Sequence, residues 1–275
     1  MNRKEIAQET LRIQQQGCYE YNGQRIEFTE EQKLSEENSE LIVPDQGAAL
    51  VRGCGMLNKS ERAARLSVAN EATVKAITDA AEAGKQRIGV LNFASAKNPG
   101  GGFLNGAMAQ EESLAASSGL YGTLLRNEGY YEANRACRSM MYTDHAIYSP
   151  DVVFFRDDRF NLMQHPVKAS VLTLPAVNYG QVVLKGEDTH QAERVMKDRM
   201  RLALAIFAHK GDRHLILGAY GCGVFRNDAV KVSRWWLELL RNEGFGLLFE
   251  DIRFAVLDHT KDGKCIGAFE KAFKE

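Results

Sequence analysis

The sequence has little that points to metal or disulfide chemistry. Its five cysteines are scattered through 275 residues, and no two of them form a C-x-x-C pair. The six histidines are dispersed as well, without an H-E-x-x-H or H-x-H pattern. An odd number of widely spaced cysteines argues against a disulfide framework, and the missing spacings argue against a zinc site. We therefore expect no metal ion and no cofactor.

The chain also lacks a long apolar run and an excess of basic residues. No segment approaches the roughly 18 apolar residues of a membrane span, and the polar start MNRKEIAQETLRIQQQ does not resemble a secretion signal. The net charge is -1 without a basic cluster, so we expect no membrane partner and no nucleic-acid groove. These features predict a cytoplasmic protein, which we expect to be a monomer. Any phosphate in its ligand must then be held mostly by backbone amides.

The first 60 residues differ in pattern from the rest of the chain. They contain an opening helical pattern that ends before Gly17, and a hairpin signal at Asn22-Gly23. An acidic surface helix or loop follows, in which Thr29 and Gln32 have the spacing of a capping box. We predict that residues 1–60 form a mainly helical accessory segment packed on the domain formed by residues 61–275.

Strands alternate with helices after residue 60, which is typical of an α/β domain. The central apolar run RIGVLNFAS is of the kind found in the middle of a covered sheet. The predicted strands are residues 64–68, 87–95, 146–156, 168–177, 213–220 and 252–258, and the predicted helices are residues 70–85, 111–125, 189–210 and 227–244. Ligands of such sheets bind beyond the carboxyl ends of the strands.

The stretch NPGGGFLNGAMAQEE, residues 98–112, contains three consecutive glycines and ends in two adjacent glutamates. Its three glycines, Gly100, Gly101 and Gly102, permit positive φ angles and close approach of a ligand to the backbone. Glu111 and Glu112 fall in the first turn of the helix that follows, where the macrodipole favours carboxylates. A pair of ordinary charges at a helix start is the simpler interpretation, and the preceding glycines favour a functional pair instead.

A second glycine loop, GAYGCGVFRND, follows the strand that ends near Tyr220. Gly221 and Gly223 permit a tight turn, and the N-terminus of the next helix offers free N–H groups to a diphosphate. The loop lacks the Lys-Ser/Thr of a P-loop, so hydrolysis of a nucleoside triphosphate is not expected. A tight turn without a ligand is the alternative for this loop alone. Together with the first loop, it is better interpreted as the other wall of a cleft.

These motifs resemble the bacterial-type (microbial) poly(ADP-ribose) glycohydrolases, a branch of the macrodomain superfamily. The triple glycine, short spacer and QEE are the specific part. YSPDVVFFRDD, LTLPAVN and GAYGCGVFRN support the resemblance in family order, and together they cover roughly residues 60–260. The resemblance implies a three-layer α/β/α macrodomain with a mixed central sheet and an ADP-ribose cleft. Its partners would be poly(ADP-ribose) or ADP-ribosylated proteins, with ADP-ribose as the product.

The resemblance also implies a role for each matching residue. Glu112 would be the catalytic acid/base, and Glu111 would position the adjoining ribose. Asn98 would bind ribose hydroxyls, and the three glycines would wrap the diphosphate and distal ribose. The remaining ligand-binding residues implied by the two motifs are Gln110, Gly221, Cys222, Gly223, Val224 and Phe225.

Cleavage of a ribose–ribose O-glycosidic bond requires a proton for the leaving oxygen and an activated water, and one glutamate can supply both in succession. Adjacent helical residues point about 100° apart, so two roles are expected rather than a symmetric dyad. The leading hypothesis is release of ADP-ribose from chain ends. A non-catalytic ADP-ribose reader and a hydrolase of another ADP-ribose derivative are the alternatives.

Other conspicuous residues have simpler interpretations. Tyr130 and Tyr131 are expected on an ordinary helix face rather than over adenine. Trp235 and Trp236 are expected in the core, because aromatic residues at helical spacing most often pack there. Arg156 is expected to be a surface charge at the end of its strand. Cys222 is expected to serve by its small size rather than as a nucleophile.

Overall fold

The structure is a computed structural model and describes residues 2–274, which form nine strands and eleven α-helices. The strands are β1 (Cys18–Tyr21), β2 (Gln24–Glu27), β3 (Glu40–Ile42), β4 (Arg65–Ala69), β5 (Ile88–Phe93), β6 (Ala146–Arg156), β7 (Leu162–Leu174), β8 (His214–Leu217) and β9 (Asp251–Ala255). The helices are α1 (Arg3–Gln16), α2 (Thr29–Glu37), α3 (Pro44–Gly53), α4 (Thr73–Glu82), α5 (Gln110–Ser117), α6 (Leu120–Leu125), α7 (Glu128–Ala136), α8 (Tyr179–Leu184), α9 (Thr189–Lys210), α10 (Ala229–Leu237) and α11 (Lys264–Lys274).

Seven strands form one mixed sheet in the order β3-β6-β7-β5-β8-β9-β4. The four neighbouring pairs from β7 to β4 are parallel, and β3 and β6 add an antiparallel edge. Long α/β crossovers join the parallel strands, as their geometry requires. The predicted α/β fold with a mixed central sheet is confirmed.

Alternating side chains of the sheet enter two separate cores, one on each face. In β5, Val90 belongs to the core formed with α4 to α7, whereas the next residue, Leu91, belongs to the core formed with α9 to α11. Val171 and Leu172 in β7 divide in the same way. Because successive side chains of a strand point to opposite faces, an apolar run such as IGVL fills both cores. The sheet is therefore the middle of three layers.

The first 60 residues contact the rest of the domain at several points, including the three that follow. Helix α1 is fixed by the Thr10 hydroxyl, which donates to the carbonyl oxygen of Ala116 in α5 at 2.7 Å. Tyr19 and Phe28 pack on Phe155 of β6. Strand β3 pairs with β6 as the edge of the main sheet, so this part of the segment completes the sheet itself. The division at residue 60 stays a prediction.

Several local predictions in this segment are confirmed, and one is wrong. Gly17 ends α1 in the left-handed conformation with φ 63°, and Asn22-Gly23 forms the hairpin turn with φ 48° and 77°. The capping box at Thr29 and Gln32 does not form, because Phe28 is the residue before α2 and makes no side-chain cap. Gln32 is instead buried and donates to the carbonyl oxygen of Gly119 at 3.0 Å.

The prediction of a single helix over residues 111–125 is wrong, because the helix is interrupted at Ser118 and Gly119. Helix α5 ends at Ser117, and α6 begins at Leu120. Between them, Ser118 is extended and bridges to Phe154, and the N–H of Gly119 donates to the carbonyl oxygen of Val153 at 3.0 Å. A long-range contact with β6 thus replaces the local helical hydrogen bonds. The expected first-turn position of the glutamates is unaffected.

Candidate active site

The two glycine loops leave the carboxyl ends of neighbouring parallel strands. The first follows β5 and the second follows β8, and these strands pair through Ile88–Val90 and His214–Ile216. At the same edge, the rings of Phe93 and Tyr220 lie 5.6 Å apart. The topology therefore places both loops beside each other at the edge where ligands of open α/β sheets bind.

The glycines of the first loop meet two different requirements. Gly100 and Gly101 have φ angles of 65° and 60°, a conformation that side chains disfavour. Gly102 has a negative φ, and it requires glycine because a Cβ there would lie 2.6 Å from the Cβ of Ala107. Positive φ was expected of all three glycines, and the structure gives it to the first two.

Glu112 turns back over this loop. Its Oε1 accepts a hydrogen bond from the N–H of Gly102 at 2.8 Å, and its Oε2 accepts one from the N–H of Ala109 at 3.0 Å. The Ala109 contact occupies one of the free N–H groups at the start of α5. Partial exposure of the side chain leaves Glu112 accessible at the mouth of the loop.

Glu111 points the other way, into the protein, and is 3% exposed. Its Oε2 accepts from the N–H of Ser95 at 2.7 Å, and its Oε1 accepts from the Nδ2 of Asn92 at 3.3 Å. Burial is the main cause that raises the pKa of Glu111 to about 8, and the charge of Glu112 adds to it. The hydrogen bonds from Ser95, Asn92 and the N–H of Gly100 act in the opposite direction.

The two carboxyl groups converge at Gly101 although their side chains leave the helix in different directions. A Cβ on Gly101 would lie 2.4 Å from Oε1 of Glu112 and 3.0 Å from Oε2 of Glu111. One carboxyl is buried and the other is partly exposed, so their environments differ as two separate roles require.

Gln110, the first residue of α5, is anchored to β5. Its Oε1 accepts from the N–H of Phe93 at 2.9 Å, and its Nε2 donates to the carbonyl oxygen of Leu91 at 2.8 Å. Both ends of the amide are thus bonded to protein groups. In this structure Gln110 fixes the register of α5 against the sheet, and its contact with a ligand stays a prediction.

The second loop presents bare backbone. Gly221 has a φ of 71°, and the N–H of Asn227 donates to its carbonyl oxygen at 3.1 Å. Asn227 is buried, and its Nδ2 ties the loop to the carbonyl oxygen of Val177 at 2.8 Å. Gly223 and Val224 are exposed, and a Cβ on Gly223 would meet nothing within 4 Å. The exposed part of this loop offers backbone N–H groups of the kind that bind phosphate oxygens.

The chain matches the family model for the microbial-type PARG catalytic domain over residues 7–157. It also superimposes on the crystal structure of poly(ADP-ribose) glycohydrolase from Thermomonospora curvata with a TM-score of 0.93 and 36% sequence identity, covering 98% of this chain and 99% of that one. The chain belongs to the microbial-type poly(ADP-ribose) glycohydrolase family. No curated protein sequence matches it.

Two further glycohydrolase structures contain ligands. The Thermomonospora curvata enzyme bound to the inhibitor ADP-HPD has a TM-score of 0.91 and 36% identity, covering 98% of each chain. The Deinococcus radiodurans enzyme in complex with ADP-ribose has a TM-score of 0.83 and 41% identity, covering 88% of this chain and 96% of that one. The family identified from the glycine loop and the QEE motif is confirmed.

The remaining predicted residues of this glycohydrolase lie in the two loops. Asn98 is exposed at the start of the first loop, where its carbonyl oxygen accepts from the N–H of Gly101 at 3.0 Å. Phe225 is partly buried, and its ring centroid lies 6.1 Å from that of Tyr142. Cys222 lies against Cys265 of α11, without the neighbouring base that a nucleophile needs.

Asn92 and Ser95 were not predicted, although both contact Glu111. One signal was available, because Asn92 is the single polar side chain within the apolar strand IGVLNF. The contact from Ser95 uses its backbone N–H, which every residue except proline carries, and therefore leaves no trace in the sequence.

The structure corrects the interpretation of Arg156 as a surface charge. It is 3% exposed and pairs with Glu9 of α1, while its Nε donates to the Thr10 hydroxyl at 3.2 Å. Tyr130 and Tyr131 are fully buried, so neither ring is available to stack on adenine. Trp236 lies in the core as expected, and Trp235 is partly buried against the same core.

Residues 2–274 contain neither a group of side chains suited to a metal ion nor a helix suited to a membrane. No group of three or more His, Cys, Asp or Glu side chains in this part of the chain is placed to hold a metal ion. Among the helices of the same residues, none combines the length and the apolar character needed to cross a membrane.

Proposed function

We propose that this protein hydrolyses the ribose–ribose O-glycosidic bonds of poly(ADP-ribose) from chain ends and releases ADP-ribose. Glu112 is the acid/base and Glu111 positions the ribose beside the bond. The observation that carries the proposal is the convergence of these two carboxyl groups on Gly101, at the edge where both glycine loops meet. A site that only bound a diphosphate would gain nothing from two acids beside it.

The chemistry divides between two states of Glu112. The neutral carboxyl gives its proton to the leaving ribose oxygen as the glycosidic bond breaks and an oxocarbenium-like sugar forms. The resulting carboxylate is stabilised by the N–H groups of Gly102 and Ala109, which already point at its oxygens. It then accepts a proton from the water that attacks the sugar, which restores the neutral acid.

The ligand-binding roles follow from the exposed backbone. Gly100, Gly101 and Gly102 line the diphosphate and distal ribose from one side, with Asn98 hydrogen-bonded to ribose hydroxyls. Gly221, Cys222, Gly223 and Val224 close over the phosphates from the other side, and Phe225 packs near the distal ribose. The N–H groups of Gly101 and Gly102 already donate to Asn98 and Glu112, so the phosphate contacts fall to the backbone amides of the second loop, which agrees with a chain whose net charge is only -1.

Cutting from chain ends is supported by the position of the N-terminal helix. The start of α1 lies against the first loop, since a Cβ on Gly106 would be 3.2 Å from the Cβ of Arg3. Glu112 borders the same recess as Arg3, Ile6 and Phe160. Helix α1 thus covers one side of the catalytic loop, where a continuing polymer would otherwise pass.

The test is incubation of the wild-type protein and of Glu112→Gln with poly(ADP-ribose), followed by separation of the products. We expect free ADP-ribose from the wild type, and a loss of at least about 10³-fold in Glu112→Gln with ADP-ribose binding retained in calorimetry. Glu132→Gln is the matched control, because Glu132 is exposed on α7. Substantial turnover by Glu112→Gln would contradict the assigned role.

The same experiment separates the alternatives. Binding of ADP-ribose by the wild type without any cleavage would identify a reader. Cleavage of a singly ADP-ribosylated protein or an acylated ADP-ribose, but not of the polymer, would identify a different hydrolase. Release of oligomers before ADP-ribose would contradict end cutting. We further propose that the protein acts as a cytoplasmic monomer, which light scattering of the purified chain tests for the oligomeric state.

A further inference from the structure

Asn92 is a polar side chain at the centre of the molecule. It lies in β5, the middle strand of the seven, is 0% exposed and pairs in register with Thr173 of β7. Its Nδ2 donates to the Thr173 hydroxyl at 3.0 Å and to Oε1 of Glu111 at 3.3 Å. Its Oδ1 is buried without a hydrogen-bond partner.

An unpartnered buried oxygen is unfavourable, and an apolar side chain such as leucine, which branches in the same way, would avoid it in this apolar strand. What leucine lacks is the N–H donor that Asn92 directs at Glu111. The Thr173 hydroxyl holds the amide from the opposite side, so the donor is fixed by two strands of the sheet. The amide is therefore held so that its N–H group reaches Glu111, while its Oδ1 is left without a hydrogen-bond partner.

The groups around Glu111 make this donor important. The titratable side chains that influence it are Glu112 on its own helix and Tyr130 and Tyr131 on α7. None of these is a cation. The hydrogen-bond donors to Glu111 are neutral: they are the N–H groups of Ser95 and Gly100 and the amide of Asn92.

We propose that Asn92 is a positioning residue of the active site, which donates to the buried carboxyl of Glu111 and sets both its orientation and its protonation. Asn92 acts through Glu111 and need not touch the substrate. The inference rests on the proposed function, because it deepens the role given to Glu111 there. It explains why a polar side chain occupies the strand that carries the first glycine loop.

The direct test follows the titration of Glu111 by NMR of ¹³C-labelled glutamate carboxyls, with the signal assigned through Glu111→Gln. Removing a donor to a charged group favours the neutral form, so Asn92→Leu should move this titration upward by about one pH unit, a tenfold change in the dissociation constant. Asn92→Ala also removes the donor, adds no titratable group, and should move the titration upward by a similar amount. It also serves if the leucine variant fails to fold.

Thr173→Val provides the matched control, because Thr173 contacts Asn92 but makes no hydrogen bond with Glu111. We expect a smaller upward shift, and no additional shift when Thr173→Val is combined with Asn92→Leu, since both act through one amide. A general loosening of the core would instead give additive effects in the double variant, which would overturn the inference.

Kinetics give a second readout. Displacement of the Glu111 carboxyl should lower kcat of Asn92→Leu by about tenfold or more and leave KM within about threefold, because the two glycine loops are unchanged. If the titration of Glu111 is unchanged in both Asn92 variants, the inference is overturned, even when the wild-type protein cleaves poly(ADP-ribose). A wild-type protein that never cleaves the polymer overturns the proposed function, while the titration still decides the contact.

Discussion

Oε1 of Glu112 lies 2.8 Å from the amide nitrogen of Gly102, ten residues earlier in the chain. The first glycine loop is therefore packed against the carboxyl group of Glu112. Gly101 is enclosed most tightly, with both carboxyl groups within 3.0 Å of the place a Cβ would occupy. The packing of the protein itself therefore requires glycine at position 101, whether or not a substrate is bound.

Gly101→Ala should lower hydrolysis by about 100-fold or more, because its methyl group would displace the carboxyl of Glu112. The positive φ adds a folding cost of about 1–2 kcal/mol. Gly84→Ala is the control, since Gly84 has a φ of 75° and nothing within 4 Å of a Cβ. It should show the folding cost with normal activity. ADP-ribose release measures the activity, and urea unfolding measures the folding cost. Equal activities of the two variants would contradict the prediction.

Asp212 should make the protein less stable as the pH rises. Burial raises its pKa to about 7, and the Tyr148 hydroxyl donates to its Oδ2 at 2.9 Å. The folded state therefore holds a proton that the unfolded state releases near pH 4, so the stabilisation is present below that pH and is lost as the pH rises through about 7. Asp212→Asn should remove this slope and be more stable at pH 8, by on the order of 2 kcal/mol.

Urea unfolding between pH 4 and pH 8.5 measures this effect, with Glu61→Gln as the exposed control. Glu111, whose pKa is raised to about 8, contributes a slope of the same sign that persists in Asp212→Asn. Parallel pH profiles of the wild type and Asp212→Asn would show that Asp212 carries no such linkage.

Arg199 should contribute strongly to stability although it lies outside the active site. It is 1% exposed, donates to the carbonyl oxygens of Met141 and Pro175 at 2.7 and 3.0 Å, and pairs with Asp144. Arg199→Met should cost about 3–5 kcal/mol, because the carbonyl groups and the carboxylate lose their donor. Arg213→Met removes an exposed pair with Glu250 and should cost below about 1 kcal/mol. Similar unfolding midpoints for both variants would be inconsistent with this difference.

Thr10→Val should loosen α1 from α5. The valine keeps the shape of threonine but loses the hydrogen bond to the carbonyl oxygen of Ala116 and the contact with Arg156, at a cost of about 1–3 kcal/mol. Hydrogen exchange of the α1 amides should accelerate more than that of β5. Thr78→Val is the control, because the Thr78 hydroxyl bonds only within its own helix. Unchanged exchange in Thr10→Val would show that other contacts fix α1.

The sequence predicts those parts of the fold that local patterns determine. Strand β6 and helix α9 have the predicted limits, since each is a long, uniform pattern bounded by polar residues. The break at Ser118 and the burial of Arg156 depend on β6 and α1, respectively, which lie far away in the chain. Strand β3 has only three residues and gains its structure from pairing with β6. Such features cannot be read from a local window.

The active site shows the same division. Glu111, Glu112 and the glycines were identified because residue type and spacing belong to one short motif. The direction in which each carboxyl group points could not be predicted, because it depends on contacts with Ser95, Asn92 and the loop backbone. A polar residue in a buried strand was the one sequence feature that pointed to the support of Glu111.

The attachment of α1 also has a consequence for folding during synthesis. Thr10 bonds to a residue 106 positions later, and Glu9 pairs with an arginine 147 positions later. At the usual pace of translation, these partners emerge roughly 5–30 s after the helix that needs them. Helix α1 therefore leaves the ribosome before the segments on which it docks. The first glycine loop is covered by α1 only once α5 and β6 have been made.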